Sequence, residues 1–147
     1  MEENNVGQTI SININPDLPL FRLDKGMLEQ IIYNLLNNAS LYTDADCIIK
    51  VTAISHINTL QLVIEDNGHG FPENEIDKVF NKFYRLHASK TGGTGLGLSI
   101  VKGFTEAMGG TVQLNNLSTG GACFNINIPA ETAYLNKKPD VWLNRKY

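Results

Sequence analysis

Gly92-Gly93-Thr94-Gly95-Leu96-Gly97-Leu98-Ser99-Ile100 is the stretch on which the reading of this chain turns. Four glycines fall within six residues, and a helix-like run follows at once. Glycine adopts backbone angles that other residues resist and lets a ligand approach the main chain closely. A glycine turn feeding a helix start offers free N–H groups and the positive end of a dipole, which suits phosphate. A plain turn has the same composition, so the run needs a purine pocket and a metal site nearby before it means nucleotide. It lacks the Gly-Lys-Ser/Thr ending of a P-loop. It also lies far from the first strand, where a dinucleotide fold carries its fingerprint. Both common nucleotide folds are therefore disfavoured.

Downstream of the run, Leu96, Leu98, Ile100, Val101, Phe104 and Met108 predict a helix closed by Gly109-Gly110. Thr111 to Leu114 predicts a strand, Thr119-Gly120-Gly121 a turn, and residues 122–128 an alternating strand that stops at Pro129. The chain then changes character, with Lys137, Lys138 and Pro139 and an isolated Val141-Trp142-Leu143. This predicts one domain over residues 1–130 and a tail over 131–147, either a helix-like anchor or disordered.

Upstream, Leu86 to Gly93 is short, polar and glycine-ended, with Lys90 inside it. It reads as a mobile lid carrying cations, and equally as ordinary solvated surface. Residues 73–83 open on acids and place Ile76, Val79, Phe80 and Phe83 at helical spacing, which predicts a short amphipathic helix. Lys82 and Arg85 flank Phe83-Tyr84.

A longer helix is predicted from a cap at Asp24 to about Tyr42. Met27, Leu28, Ile31, Ile32, Leu35, Leu36 and Ala39 form its apolar stripe. Its other face is unusual: Asn34, Asn38 and Tyr42 are four apart and stack on one side, with Asn37 beside them. Asparagine is a poor helix-interior residue because its side chain competes for the backbone. Such a ladder is either a solvated polar face or a set of neutral hard oxygens suited to Mg²⁺. Residues 8–14 alternate as a strand, and Leu20 to Leu23 form a short second one. Residues 47–54 and 60–66 predict an antiparallel pair. The second of these runs into Asp66-Asn67-Gly68-His69-Gly70, either a plain turn or a site loop whose carboxylate accepts from an exocyclic amine.

The bounds agree with a single globular domain. The chain has 147 residues, 42% of them hydrophobic and 18% charged, and a net charge of −3, which argues against a nucleic-acid binder. No apolar run has the length of a membrane span, and no secretory signal is expected. Cys47 and Cys123 read as reduced, buried thiols, and His56, His69 and His87 lack zinc spacing.

Taken in order, the Asn ladder, Asp66-x-Gly68-x-Gly70, Phe80-x-x-Phe83-Tyr84-Arg85 and Gly93-Thr94-Gly95-Leu96-Gly97-Leu98 resemble the N, G1, F and G2 boxes of the ATP-binding catalytic domain of sensor histidine kinases, in the GHKL superfamily. The resemblance covers residues 8–129. Phe80-Asn81-Lys82-Phe83-Tyr84-Arg85 and Gly-Gly-Ala-Cys-Phe at 120–124 look closest to the potassium-sensing (Kdp-type) kinases.

The resemblance implies an α+β fold. This would be a two-layer α/β sandwich of the Bergerat type, with a mixed, mainly antiparallel sheet and helices on one face. It implies Asn38 on Mg²⁺ and Asn34 in the same site, with Tyr42 bordering ATP. Asp66 would meet the adenine amine, and Gly68 and Gly70 would admit the base. Arg85, with Asn34 counted as catalytic, and Lys82 would approach the phosphates. Gly93, Gly95 and Gly97 would hinge the lid, Thr94 is counted with them as nucleotide-binding, and backbone near Leu96 and Leu98 would meet phosphate. Family members usually carry Lys where this chain has Leu41. Hydrolases of the superfamily place a Glu four residues before the metal-binding Asn. Here that position is Asn34, an amide that cannot take a proton. Glu29, nine residues before Asn38, falls on the opposite side of the helix. Transfer of the γ-phosphoryl to a histidine on a separate dimerisation domain is thus the expected activity, with a response regulator further on. The chain is expected to be a monomeric cytoplasmic part of a membrane-anchored receptor. A nucleotide-regulated module without catalysis, or an ATP hydrolase, are the alternatives.

Overall fold

The computed structural model describes residues 8–84 and 95–134. Strands β1 (Thr9–Ile14), β3 (Ile48–His56), β4 (Thr59–Asp66), β5 (Thr111–Asn116) and β6 (Ala122–Pro129) form one sheet in the order β1-β3-β4-β6-β5. β1 runs parallel to β3, and every other pairing is antiparallel. Strands β2 (Leu20–Arg22) and β7 (Glu131–Ala133) form a separate antiparallel ribbon. Helices α1 (Lys25–Tyr42) and α2 (Gly97–Ala107) lie across one face of the large sheet. The fold is the expected α+β sandwich.

The alternation of the strands decides which face is covered. Ile49 and Val51 of β3, Leu60, Leu62 and Ile64 of β4, and Phe124, Ile126 and Ile128 of β6 are all buried. All of these but Leu60 meet Ile31, Leu35 and Ala39 of α1 and Leu98 and Val101 of α2 in one core. The intervening residues face the other way, where Lys50 and Glu65 sit opposite each other with 3.9 Å between charged atoms. At α1 the cap is as expected: the Asp24 carboxylate accepts from the Met27 N–H at 2.9 Å. The start of β1 is tied to the other end of that helix, where Gln8 Nε2 donates to Thr43 Oγ1 at 2.6 Å.

Two expectations are corrected. The helix predicted over 73–83 is a 3-10 helix that spans only Glu73–Lys78. Phe83, read as part of its apolar stripe, sits at φ 66° and is 67% exposed. Its backbone is turned so that its N–H donates to the Gly95 carbonyl at 2.8 Å. The segment read as a tail begins with structure, because β7 pairs with β2. The remainder of the tail and the lid segment from Leu86 to Thr94 lie outside the described residues.

Candidate functional site

A cleft of about 230 Å³ opens between the second half of α1 and the start of α2. Asn34, Asn37, Asn38, Leu41 and Tyr42 line it from α1, as the helical spacing requires. Gly95, Leu96, Gly97 and Leu98 line it from the other side. Asn34 Nδ2 donates to the Gln30 carbonyl at 2.8 Å, which leaves its oxygen directed across the cleft. A Cβ added at Gly97 would come 3.3 Å from that oxygen, so the ladder and the glycine run are in contact. No side chain caps α2 at Leu96, and the first residues of that helix line the cleft. The lining among the described residues holds amide oxygens and two phenols, Tyr42 and Tyr84, but no carboxylate. Neutral oxygens suit Mg²⁺ that arrives already held by phosphate, so Asn34 and Asn38 fit that ion.

The remaining wall is Phe71, Val79 and Tyr84. The Tyr84 hydroxyl donates to the Glu75 carboxylate, which is 6% exposed. That hydrogen bond, with burial and the negative charge of Glu75, pushes the Tyr84 phenol up to about 12. Glu75 is one of the acids that open residues 73–83. The 3-10 turn points it inward. Phe71 packs edge-on against Phe124, with ring centroids 5.9 Å apart, which joins the wall to the sheet.

Asp66 ends β4 beside this cleft rather than in its lining. Its Oδ1 accepts from the Gly68 N–H at 2.9 Å and the Ala122 N–H at 3.3 Å. Both bonds fall on Oδ1, and a carboxylate oxygen in the position of Oδ2 can accept from a further donor. Gly68 lies against Thr43, the residue after Tyr42, and this brings the loop to the mouth of the cleft. The turn between β5 and β6 presses on the same loop. Gly121, at φ 103°, is so close that an added Cβ would sit 1.8 Å from the Asp66 carbonyl oxygen.

Of the residues singled out from sequence, Asn34, Asn38, Tyr42, Gly95, Leu96, Gly97 and Leu98 converge on the cleft. Asp66, Gly68 and Gly70 form the adjoining loop. Lys82 is exposed and does not line the cleft. Arg85, Lys90, Gly93 and Thr94 lie outside the described residues. Sequence reading missed Glu75 and Asn116. The side chain of Asn116 brackets the Phe71 backbone, accepting from its N–H at 2.8 Å and donating to its carbonyl at 2.7 Å. No local pattern marks either residue, because each acts on a partner in another element.

Comparison with known proteins bears on this geometry. A family model described as histidine kinase-, DNA gyrase B-, and HSP90-like ATPase matches residues 23–132. The sensor protein KdpD of Escherichia coli is 35% identical over 134 residues, 90% of this chain and 15% of that protein. Hybrid signal transduction histidine kinase D of Dictyostelium discoideum is 38% identical over 125 residues, 79% of this chain and 8% of that protein. The chain therefore spans a small part of the relatives it matches. Full-length ShkA, solved in complex with AMPPNP, superposes with a TM-score of 0.76 at 29% identity, over 91% of this chain and 27% of that one.

Proposed function

We propose, on the premise that this chain belongs to the histidine kinase-, DNA gyrase B- and HSP90-like ATPase family, that its cleft binds Mg²⁺–ATP and delivers the γ-phosphoryl group to a histidine on a separate phosphotransfer domain. The chain is the ATPase-type domain of a two-component sensor kinase. The observation that carries the proposal is the meeting of the Asn34 and Asn38 amides with the start of α2 across one cleft, with Asp66 beside its mouth. ShkA, of similar fold, holds an ATP analogue, which supports the choice of ligand.

Roles follow from position. Asp66 Oδ2 receives the adenine amine. Asn34 and Asn38 would hold the metal through their neutral oxygens, and the N–H groups of the first α2 turn would take phosphate oxygens. Mg²⁺, when bound, neutralises charge that builds on the phosphates during transfer. Arg85 follows Tyr84 directly and is assigned to the γ-phosphate. Lys82 is a second cation for that end. Positioning and charge are the main catalytic terms in such a transfer. No side chain in the described lining can take a proton from water at neutral pH. Glu29, the acid on α1, is exposed and outside the lining. This favours an outside nucleophile over water. The parent protein is assigned a membrane-anchored receptor with a cytoplasmic kinase region and a response regulator as final acceptor. Among the described residues no helix is long and apolar enough to cross a membrane.

One observation favours a second reading. Leu41 lines the cleft where the resembling kinases carry a lysine, as a nucleotide-regulated module without transfer could tolerate. Radiolabelled ATP, this chain and a separately expressed histidine-bearing domain decide the matter. Acid-labile label on the partner supports transfer. Robust phosphate release by this chain alone sinks it, and binding without either outcome selects the module. Asn38→Ala is expected to abolish the Mg²⁺ dependence of ATP binding.

A further inference from the structure

Asn116 ends β5, 45 residues from the loop it holds. Its Oδ1 accepts from the Phe71 N–H at 2.8 Å, and its Nδ2 donates to the Phe71 carbonyl at 2.7 Å and to Glu73 Oε1 at 2.9 Å. Gly70 packs so tightly on it that an added Cβ would lie 2.5 Å from Oδ1. Phe71 is 8% exposed and forms part of the cleft wall. The loop from Asp66 to Phe71 is thus fixed at both ends, upstream through the Asp66 carboxylate and downstream through one amide side chain.

We infer that Asn116 is a positioning residue for nucleobase selection: by clamping Phe71 and Gly70 it sets the loop so that the Asp66 carboxylate faces an amine and discriminates adenine from guanine. This rests on the ATP reading above and deepens it. The clamp touches only the base end of the cleft. The phosphate end, built from Asn34, Asn38 and Gly97, is held by other contacts. A fault in the clamp should therefore separate base recognition from phosphate binding, which a general loss of folding cannot do.

The test is calorimetric titration of the 147-residue chain and Asn116→Ala with ATP, GTP and inorganic tripolyphosphate, each with Mg²⁺. Wild-type protein is expected to prefer ATP to GTP. The variant should bind ATP about tenfold more weakly, because the loop loses hydrogen bonds at one end. Tripolyphosphate and GTP affinities should each stay within about twofold, so the ATP/GTP preference drops by close to tenfold. An unchanged preference overturns the clamp, as does an equal loss for ATP and tripolyphosphate. If Asn116→Ala does not fold, Asn116→Asp carries the same test, since it keeps the acceptor for the Phe71 N–H but gives up both donated bonds and sets a charge beside Glu73. A wild-type chain that binds none of the three overturns the ATP reading itself. A wild-type chain that prefers ATP, with a variant that still does, overturns the clamp alone.

Discussion

Gly121→Ala and Gly103→Ala make the same chemical change and are expected to act in opposite directions. At Gly121 the new methyl group would lie 1.8 Å from the Asp66 carbonyl oxygen and 2.7 Å from its carbon. Real Cβ atoms essentially never come within 3.0 Å, so the end of β4 or the turn before β6 must retreat by more than 1 Å. The positive φ of 103° adds about 1–2 kcal/mol for any residue with a side chain. The displacement opens the Ala122 N–H bond to Asp66 and strains the Leu117 N–H bond to the Gly121 carbonyl, at about 1 kcal/mol each. The expected loss is about 3–4 kcal/mol, a fall in Tm of about 10 °C or more for a domain of this size. Gly103 lies within α2, is exposed, and would meet nothing within 4 Å. Alanine there should stabilise by about 0.5–1 kcal/mol, through the reduced entropy of the unfolded chain and better helix propensity. Urea unfolding followed by circular dichroism gives both values. A Gly121→Ala loss below about 1 kcal/mol at unchanged m-value would refute the close packing of the β5–β6 turn on the Asp66 loop.

Three further outcomes are expected. Leu35→Ala removes a side chain with no exposure at the centre of the helix–sheet core, and should cost about 2–5 kcal/mol in the same unfolding assay. Leu41→Lys returns a cation to the cleft wall and should tighten ATP binding about fivefold at low salt, an advantage that shrinks above about 0.15 M ionic strength. The raised ionisation of Tyr84 means that its bond to Glu75 stabilises the fold fully below about pH 10, the ordinary phenol value, and that this contribution is lost as pH rises toward 12. In Glu75→Gln the tyrosinate absorbance of one phenol should therefore appear at lower pH than in the wild type. A titration curve unchanged by the substitution would disprove the pairing.

The parts of this molecule that were legible in the sequence are those carried by local period. The α1 stripe, its Asp24 cap and the Asn ladder follow from spacings of three and four, and the helix has those faces in space. The alternation in β4 and β6 gave the buried face correctly for the same reason. Period misled over residues 73–83. Ile76, Val79 and Phe80 do pack on the core, but a 3-10 turn delivers them, and extending the stripe to Phe83 fails because the chain there turns to meet Gly95. Asn116 falls between the strand read over Thr111 to Leu114 and the turn at Thr119-Gly120-Gly121, where the sequence carries no pattern. Its use appears only when β5 is laid beside a loop 45 residues earlier in the chain. Glu75 was illegible for a related reason: a buried acid is recognisable only by its partner, and Tyr84 lies nine residues away across a turn. β7 escaped notice because three residues are too few for a pattern, and pairing with β2 is what makes them a strand.

That short ribbon has a mechanical consequence. Ala133 pairs with Leu20, so the end of β7 that leads onward along the chain and the end of β2 that leads back toward β1 lie side by side. Tension applied past Tyr134 therefore loads the ribbon as a zipper, one residue pair at a time, beginning at Ala133–Leu20. β6 is paired with β4 over Cys123–Pro129 and with β5 over Ala122–Asn127, and takes no load until the three pairs of the ribbon have parted. Force spectroscopy through the C-terminus should record a small early yielding event that precedes rupture of the sheet. The chain beyond β6 can thus be pulled loose while the cleft and its Asp66 loop remain intact.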